Sequence, residues 1–141
     1  MFTPLLESGN NGAKRRIGPV GVCRIENDFR VYRVKVTGDR IDVSHNEFNR
    51  ASYSAVAGHF GKGSGVKYNK FTDIMQVLKD GAAIYVFYVE DLVMRGNVTY
   101  NTQGGKGQAH AYYLDEFSEN CDVAENLSVG MGWPAHNHMS Q

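Results

Sequence analysis

The stretch Ser44-His45-Asn46-Glu47-Phe48-Asn49-Arg50-Ala51-Ser52-Tyr53-Ser54-Ala55-Val56-Ala57-Gly58-His59 decides how the chain reads. Its first four residues match a capping box, in which a serine at the N-cap and a glutamate three positions on each satisfy an amide that would otherwise go unpaired. A helix from His45 to about His59 would place Phe48, Ala51, Ala55 and His59 on one stripe. Gly58 and the glycines beyond it would end that helix. A second, shorter helix is predicted from about Thr72 to Lys79, with Ile74, Val77 and Leu78 inward and Gly81 as its stop.

Extended patterns flank this helical centre. Val20, Val22 and Ile25 begin a strand, Asn27-Asp28 supplies a turn, and Phe29 to Val36 alternates, with Tyr32, Val34 and Val36 on one face and Arg33 and Lys35 on the other. Thr37-Gly38-Asp39 reads as a tight turn into Arg40-Ile41-Asp42-Val43. On the far side, Ala82 to Val89 is the strongest strand, β-branched and aromatic and apolar on both faces. Arg95-Gly96-Asn97 turns into Val98-Thr99-Tyr100, and Ala109 to Leu114 makes one more strand. The acidic segment Asp115 to Asn126 supplies a third helix to a set of two or three. The order βββ-αα-βββ(-α) predicts an α+β fold, a mainly antiparallel sheet built from two β-meanders. Residues 1–18 read as a flexible basic arm, 19–129 as a single α+β domain, and 130–141 as an irregular tail. No repeat of 20–50 residues is recognised.

The totals agree with one ordinary domain. A chain of 141 residues can bury a genuine core. With 42% hydrophobic and 21% charged residues it is neither disordered nor a coiled coil. No apolar run approaches the ~20 residues of a spanning helix, and the N-terminus has no basic-then-apolar secretory pattern. Cys23 and Cys121 stand 98 positions apart without CxxC spacing. They read as thiols of a reducing compartment, with a single long-range disulfide as the alternative, and the chain is expected to be cytoplasmic without membrane contact. Net charge is zero, yet residues 1–79 hold 13 Lys and Arg against 7 Asp and Glu, a net +6, and residues 80–141 hold 2 against 8, a net −6. Such a division points to nucleic-acid contact, to an acidic docking surface, or to charges paired across the fold.

The most suggestive chemistry lies in two similar loops, His59-Phe60-Gly61-Lys62-Gly63-Ser64-Gly65-Val66-Lys67 and Gly104-Gly105-Lys106-Gly107-Gln108-Ala109-His110. Glycines let successive amides converge on an anion and lysine adds a mobile charge, although neither loop has P-loop spacing. Three readings follow. In the leading one the chain is a non-catalytic binding protein for a phosphate-bearing ligand, a nucleic acid or nucleotide, contacted by Arg15, Arg16, Lys62, Lys67 and Lys106. Aromatics on strands beside Arg30, Arg33 and Lys35 suit the same single-stranded ligand, with ordinary strand packing as the alternative reading. In the second it is a metal-independent nuclease or phosphodiesterase, with His59 and His110 as acid–base pair, since imidazoles exchange protons near neutral pH. In the third it is an accessory or assembly subunit whose basic arm and acidic Asp115–Glu125 segment are complementary docking surfaces, between copies of the chain or toward another protein. No cofactor is called for. His136-Asn137-His138 is read as solvated tail rather than a metal site.

Overall fold

The computed structural model describes residues 15–17, 33–102, 109–131 and 133–141, with residues 15–17 described by their backbone alone. Fourteen short strands are formed there and no helix. Sheet I contains β2 (Val34–Gly38), β5 (Val56–Phe60), β8 (Gly81–Val86), β11 (Ala109–Leu114) and β14 (Trp133–Asn137). Sheet II contains β1 (Arg15–Ile17), β3 (Ile41–Ser44), β6 (Gly65–Lys67), β9 (Val93–Arg95) and β12 (Asp122–Ala124). Sheet III contains β4 (Glu47–Asn49), β7 (Lys70–Thr72), β10 (Val98–Tyr100) and β13 (Leu127–Val129). Every ladder is parallel, and the chain visits sheets I, II and III in turn. The result is a three-faced parallel β-helix, each coil stacking only on its neighbours.

Inward rows run straight up the coils and make the core. Val43, Val66 and Met94 stand in register in sheet II and are fully buried. Phe48 and Phe71 stack at 5.0 Å and 5° in sheet III. Val34, Val56, Ile84 and Tyr112 form the matching row in sheet I. A Leu, Val or Phe buried this way contributes roughly 1.5–3 kcal/mol.

The corners repeat as strictly as the rows. Between sheets I and II, Arg40, Gly63, Asp91 and Asn120 take left-handed φ of 52°, 70°, 57° and 52°. Between II and III, His45, Tyr68, Gly96 and Glu125 do so at 58°, 55°, 66° and 56°. Between III and I the set is Arg50, Asp73, Asn101 and Gly130. This conformation costs a non-glycine residue about 1–2 kcal/mol. Hydrogen bonds to the next coil offset it: Arg40 donates its amide to Lys62 O, His45 to Lys67 O and Arg50 to Thr72 O. Directly after each II–III corner residue comes Asn46, Asn69, Asn97 or Asn126. Their side chains form a continuous ladder, Asn46 Nδ2 to Asn69 Oδ1 at 3.1 Å, Asn69 Nδ2 to Asn97 Oδ1 at 3.1 Å and Asn97 Nδ2 to Asn126 Oδ1 at 3.0 Å.

These findings correct the α+β expectation. Ser44-His45-Asn46-Glu47 is a corner and not a helix start: His45 is left-handed, and the Asn46 amide is satisfied by Asn69 Oδ1 at 3.0 Å rather than by a local cap. The span to His59 is β4, a bend and β5, and Gly58 sits inside β5 rather than ending anything. A Cβ there would lie 1.9 Å from Val36 O, on a φ of 142°. Thr72–Lys79 is likewise not helical, because the Gln76, Val77 and Leu78 amides reach back to Ala51 and Ser52 carbonyls across 25 or so positions. Asp115–Asn126 holds turns and β12 in place of a third helix. Strands at Ile41–Ser44, Gly81–Val86, Val98–Tyr100 and Ala109–Leu114 fall where the sequence pattern places them. Their partners do not: they pair in parallel with the strands one coil away, so there is no meander. The coil is also a repeat in the 20–50-residue range, with successive ladder asparagines 23, 28 and 29 positions apart. Residues 133–137 of the tail form β14. Of the basic arm, Arg15–Ile17 pairs with β3, and the rest lies outside the described residues, as does the strand begun at Val20. No helix among the described residues is long and apolar enough to cross a membrane.

Candidate ligand-binding face

Among the described residues, the outer face of sheet I gathers the largest set of aromatic and histidine rings in contact. Because strand residues alternate in direction, one row across the coils is Lys35, Ala57, Tyr85, Tyr113 and His136. Tyr53 lies edge-on to Tyr85 at 6.5 Å, Tyr85 is 5.0 Å from Tyr113, and Tyr113 is 4.7 Å from His136. At the N-terminal end of the strands His110 stacks on His136 at 4.8 Å and 17°, with Trp133 at 5.8 Å. At the C-terminal end His59 meets Phe87 at 4.2 Å and Tyr88 at 5.8 Å, and Tyr88 stacks on Phe117 at 4.9 Å and 24°. Tyr88 (56%), Phe117 (53%) and Trp133 (54%), the last on the edge strand β14, are more than half exposed. With a strand rise of about 3.3 Å and a strand spacing of about 4.8 Å, the five-stranded face measures about 18 by 19 Å.

Polar groups are set among the rings. Tyr85 donates its hydroxyl to Asp115 Oδ2 at 2.6 Å, and His138 Nδ1 lies 2.9 Å from Asp115 Oδ1. Burial pushes the Asp115 carboxyl up, but those two hydrogen bonds together with the Glu116 amide outweigh it and hold the group below its ordinary value. Burial, then the hydrogen bond and charge of Asp115, raises the Tyr85 phenol. Tyr113 is pushed up to about 12 by burial and by Asp115 and Asp80. Both phenols therefore stay neutral donors at any physiological pH. His110 is 4% exposed, and its pKa is lowered by burial and by the neighbouring His136. Its Nδ1 has no hydrogen-bond partner among the described residues. His59 is lowered by burial and by Lys35.

The residues singled out in the sequence are scattered over the coil. His59 and His110 share the outer face of sheet I but stand five positions along the strand and two strands apart. That is a separation of about 19 Å, too far for both to reach one phosphate. Lys62 sits at a I–II corner and pairs with Glu90 at 2.8 Å, and that hydrogen bond and charge raise its pKa. Lys67 ends β6 and lies beside Arg95, which is engaged with Asp122 at 2.7 Å. The first glycine loop is tied into the coil: Gly61 donates its amide to Gly38 O at 2.7 Å, and Ser64 Oγ accepts from the Ile41 amide. Arg15 and Arg16 lie on β1, at the opposite end of sheet II from β12. Lys106, with the second glycine loop, lies outside the described residues. Cys121 is a free thiol, while Cys23 lies outside the described residues. No group of three or more His, Cys, Asp or Glu among the described residues is arranged to hold a metal ion.

The stacked face was only partly visible in the sequence. Tyr85, Tyr113 and Tyr88 were recognisable as strand aromatics, but Phe117, Trp133, His136 and His138 belonged to segments read as helix or loose tail. Parallel stacking alone brings them together. No family model, no curated protein and no solved structure matches the chain.

Proposed function

We propose that the protein is a binding module whose outer sheet I face takes an extended saccharide chain. The observation that carries this reading is the run of half-exposed rings across adjacent coils, with few cations beside it. Lys35 is the only lysine or arginine in the described strands of sheet I; Arg33 and Lys79 stand just before β2 and β8, and Asp80, Asp115 and Glu116 adjoin β8 and β11. A sugar ring offers apolar C–H bonds on its faces and hydroxyls on its rim. Aromatic faces cover the first, and the Asp115 carboxylate and the His136 and His138 rings suit the second. A phosphate backbone would instead meet carboxylates, with its attractive Lys62 already paired. The non-catalytic character of the sequence reading is kept, and the ligand class is changed.

The test uses the single tryptophan, Trp133, which stands in the face itself. Its fluorescence is titrated with a panel of neutral and acidic oligosaccharides and, in parallel, with single-stranded oligonucleotides at low and high salt. A saturable change with a saccharide that salt leaves unaltered supports the proposal. Response to oligonucleotides alone, falling with salt at about −0.7 per contacted phosphate, would sink it in favour of the phosphate-bearing ligand.

A further inference from the structure

Strand β14 is held on one side only. Among the described strands it pairs with β11 alone, matching His110 with Trp133, Tyr112 with Ala135, Tyr113 with His136 and Leu114 with Asn137. Pro134 has no amide to donate to that ladder. Four of the strand's five residues are exposed, so burial does little to keep it in place. Its two ends are secured by different chemistry. Past the C-terminal end, His138 donates its amide to Leu114 O at 2.9 Å, Gln141 donates to Ser118 O at 2.8 Å, and His138 Nδ1 lies 2.9 Å from Asp115 Oδ1. A proton on His138 adds charge to that last contact and does not break it. At the N-terminal end the anchor is His110. Its ring is buried, stacks on His136 at 4.8 Å and 17°, and hydrogen-bonds the Trp133 backbone. Nδ1 has no partner among the described residues, so Nε2 makes that bond and Nδ1 stands as a bare lone pair. This arrangement suits the neutral ring. A proton on Nδ1 would bury an N–H that has no acceptor, beside a second imidazole.

We infer that the first half of β14 is a proton-released flap: when His110 takes a proton, Trp133 and His136 leave the sheet I face, while the chain beyond stays clamped at Asp115. The titratable groups facing His110 are Asp80 ahead of β8, Tyr113 on its own strand at 5.3 Å, and His136 on β14. Asp80 and the Trp133 backbone favour the proton, burial and His136 oppose it, and the opposition prevails, so the pKa of the closed form lies below 6.5. Tyr113 stays neutral and adds no charge. Opening β14 removes the cover and the stacked imidazole together, which returns His110 toward its ordinary value. The closed form is therefore fully favoured above about pH 6.5. Below that the opening constant rises by up to about tenfold per pH unit, until the pKa of the closed form is reached. A ligand held on the face at neutral pH is let go in mildly acidic solution. Only the ligand's identity rests on the saccharide reading, since the opening itself needs no ligand.

Hydrogen exchange of the ligand-free protein, followed by mass spectrometry and corrected for intrinsic rates, tests the opening between about pH 7.5 and about pH 5.5. The peptide holding residues 133–137 should lose protection several-fold at the acidic end, while the one holding residues 81–86 keeps its own. His110→Phe should abolish that loss. His136→Gln, a change at an edge strand, removes one of the two opposing influences and should move the onset to higher pH; it decides the matter alone if His110→Phe does not fold. Protection of residues 133–137 that ignores pH, a loss that His110→Phe shares, an onset that His136→Gln leaves in place, or residues 81–86 opening in step would each overturn the inference. Trp133 fluorescence titrations with the oligosaccharide panel at the same two pH values form the second arm. Affinity should be several-fold weaker at the acidic one, with that ratio flattened in His110→Phe, and equal affinity at both would overturn ligand release. Binding at neither pH would sink the saccharide reading and leave the flap to be decided by exchange.

Discussion

Replacing Asn97 with alanine is the sharpest test of the ladder. Asn97 is fully buried and makes four side-chain hydrogen bonds. Nδ2 donates to Val66 O at 2.8 Å and to Asn126 Oδ1 at 3.0 Å, while Oδ1 accepts from the Asn69 amide at 3.0 Å and from Asn69 Nδ2 at 3.1 Å. Truncation strips the Asn69 amide and the Val66 carbonyl of these partners inside the coil, at roughly 1–3 kcal/mol for each buried group left unsatisfied. The expected loss is about 4 kcal/mol, or a melting point lower by roughly 10 °C for a chain of this size. Asn97→Asp separates hydrogen bonding from packing. The acceptor survives, both donors vanish, and a carboxylate faces Val66 O and Asn126 Oδ1. Its folded pKa should stand above the unfolded value of about 3.9, so it destabilises fully at neutral pH and recovers relative to Asn97→Ala as the acid becomes protonated. Thermal and urea unfolding followed by circular dichroism give the magnitude, and hydrogen exchange at the Asn69 amide gives the location. A cost under about 1 kcal/mol, or an Asn69 amide as protected as before, refutes the claim that the ladder holds the coils together.

Three further outcomes are expected. Gly58→Ala should prevent proper folding, since its Cβ would stand 1.9 Å from Val36 O at a φ of 142°; normal expression with an unchanged melting point would contradict the register of β2 with β5. Phe71→Ala should cost about 3–5 kcal/mol by opening a cavity against Phe48, checked by urea denaturation. Burial lowers the pKa of His110, and His136 adds to that, so the unfolded chain takes up its proton first; this contribution is complete above about pH 6.5 and is lost as pH falls below that. The drop in melting temperature between neutral and mildly acidic buffer should shrink in His110→Phe, and an equal drop in both proteins would remove His110 as its cause.

Strand positions were legible in the sequence and strand partners were not. Val98–Tyr100 and Ala109–Leu114 show themselves because β-branched and aromatic runs bounded by turn residues mean the same thing in either pairing mode. Direction of pairing is set by what connects the strands. Of the two-residue corners only Gly96 announces itself as a turn; at His45, Tyr68 and Glu125 bulky or charged residues take positive φ, for which local sequence gives no warning. Ser44-His45-Asn46-Glu47 mimics a helix cap because an asparagine corner and a capping box draw on the same small polar residues. One signal was available: an apolar residue three positions before an asparagine, in Val43–Asn46, Val66–Asn69, Met94–Asn97 and Val123–Asn126. Unequal coil lengths, with ladder steps of 23, 28 and 29 residues, blur it below the reach of a fixed-period search. The same blurring hid the face of sheet I, since rings that are neighbours in space are nearly thirty residues apart in the chain.

A coil that repeats gives a means of telling structure from function. Whatever recurs in every coil, the asparagine ladder, the left-handed corners and the inward aliphatic rows, is required by stacking and has no need of a ligand. Gly61-Lys62-Gly63 belongs partly to this class: Gly63 takes the left-handed corner that Arg40, Asp91 and Asn120 take in other coils, so its glycine is explained without a phosphate. What fails to recur needs another cause. In sheet I the outer row beginning with Lys35 and Ala57 becomes Tyr85, Tyr113 and His136, and half-exposed Tyr88 and Phe117 stack at the adjoining corner. Lysine and alanine satisfy the outer face of the first two coils, so stacking does not demand rings there. Tyr88, Phe117 and Trp133 stay half in water, against the hydrophobic effect, even though the first two stack between coils. A surface that leaves three large aromatics half exposed, while holding Asp115 ionised and Tyr113 neutral among them, is what the proposed binding role would use.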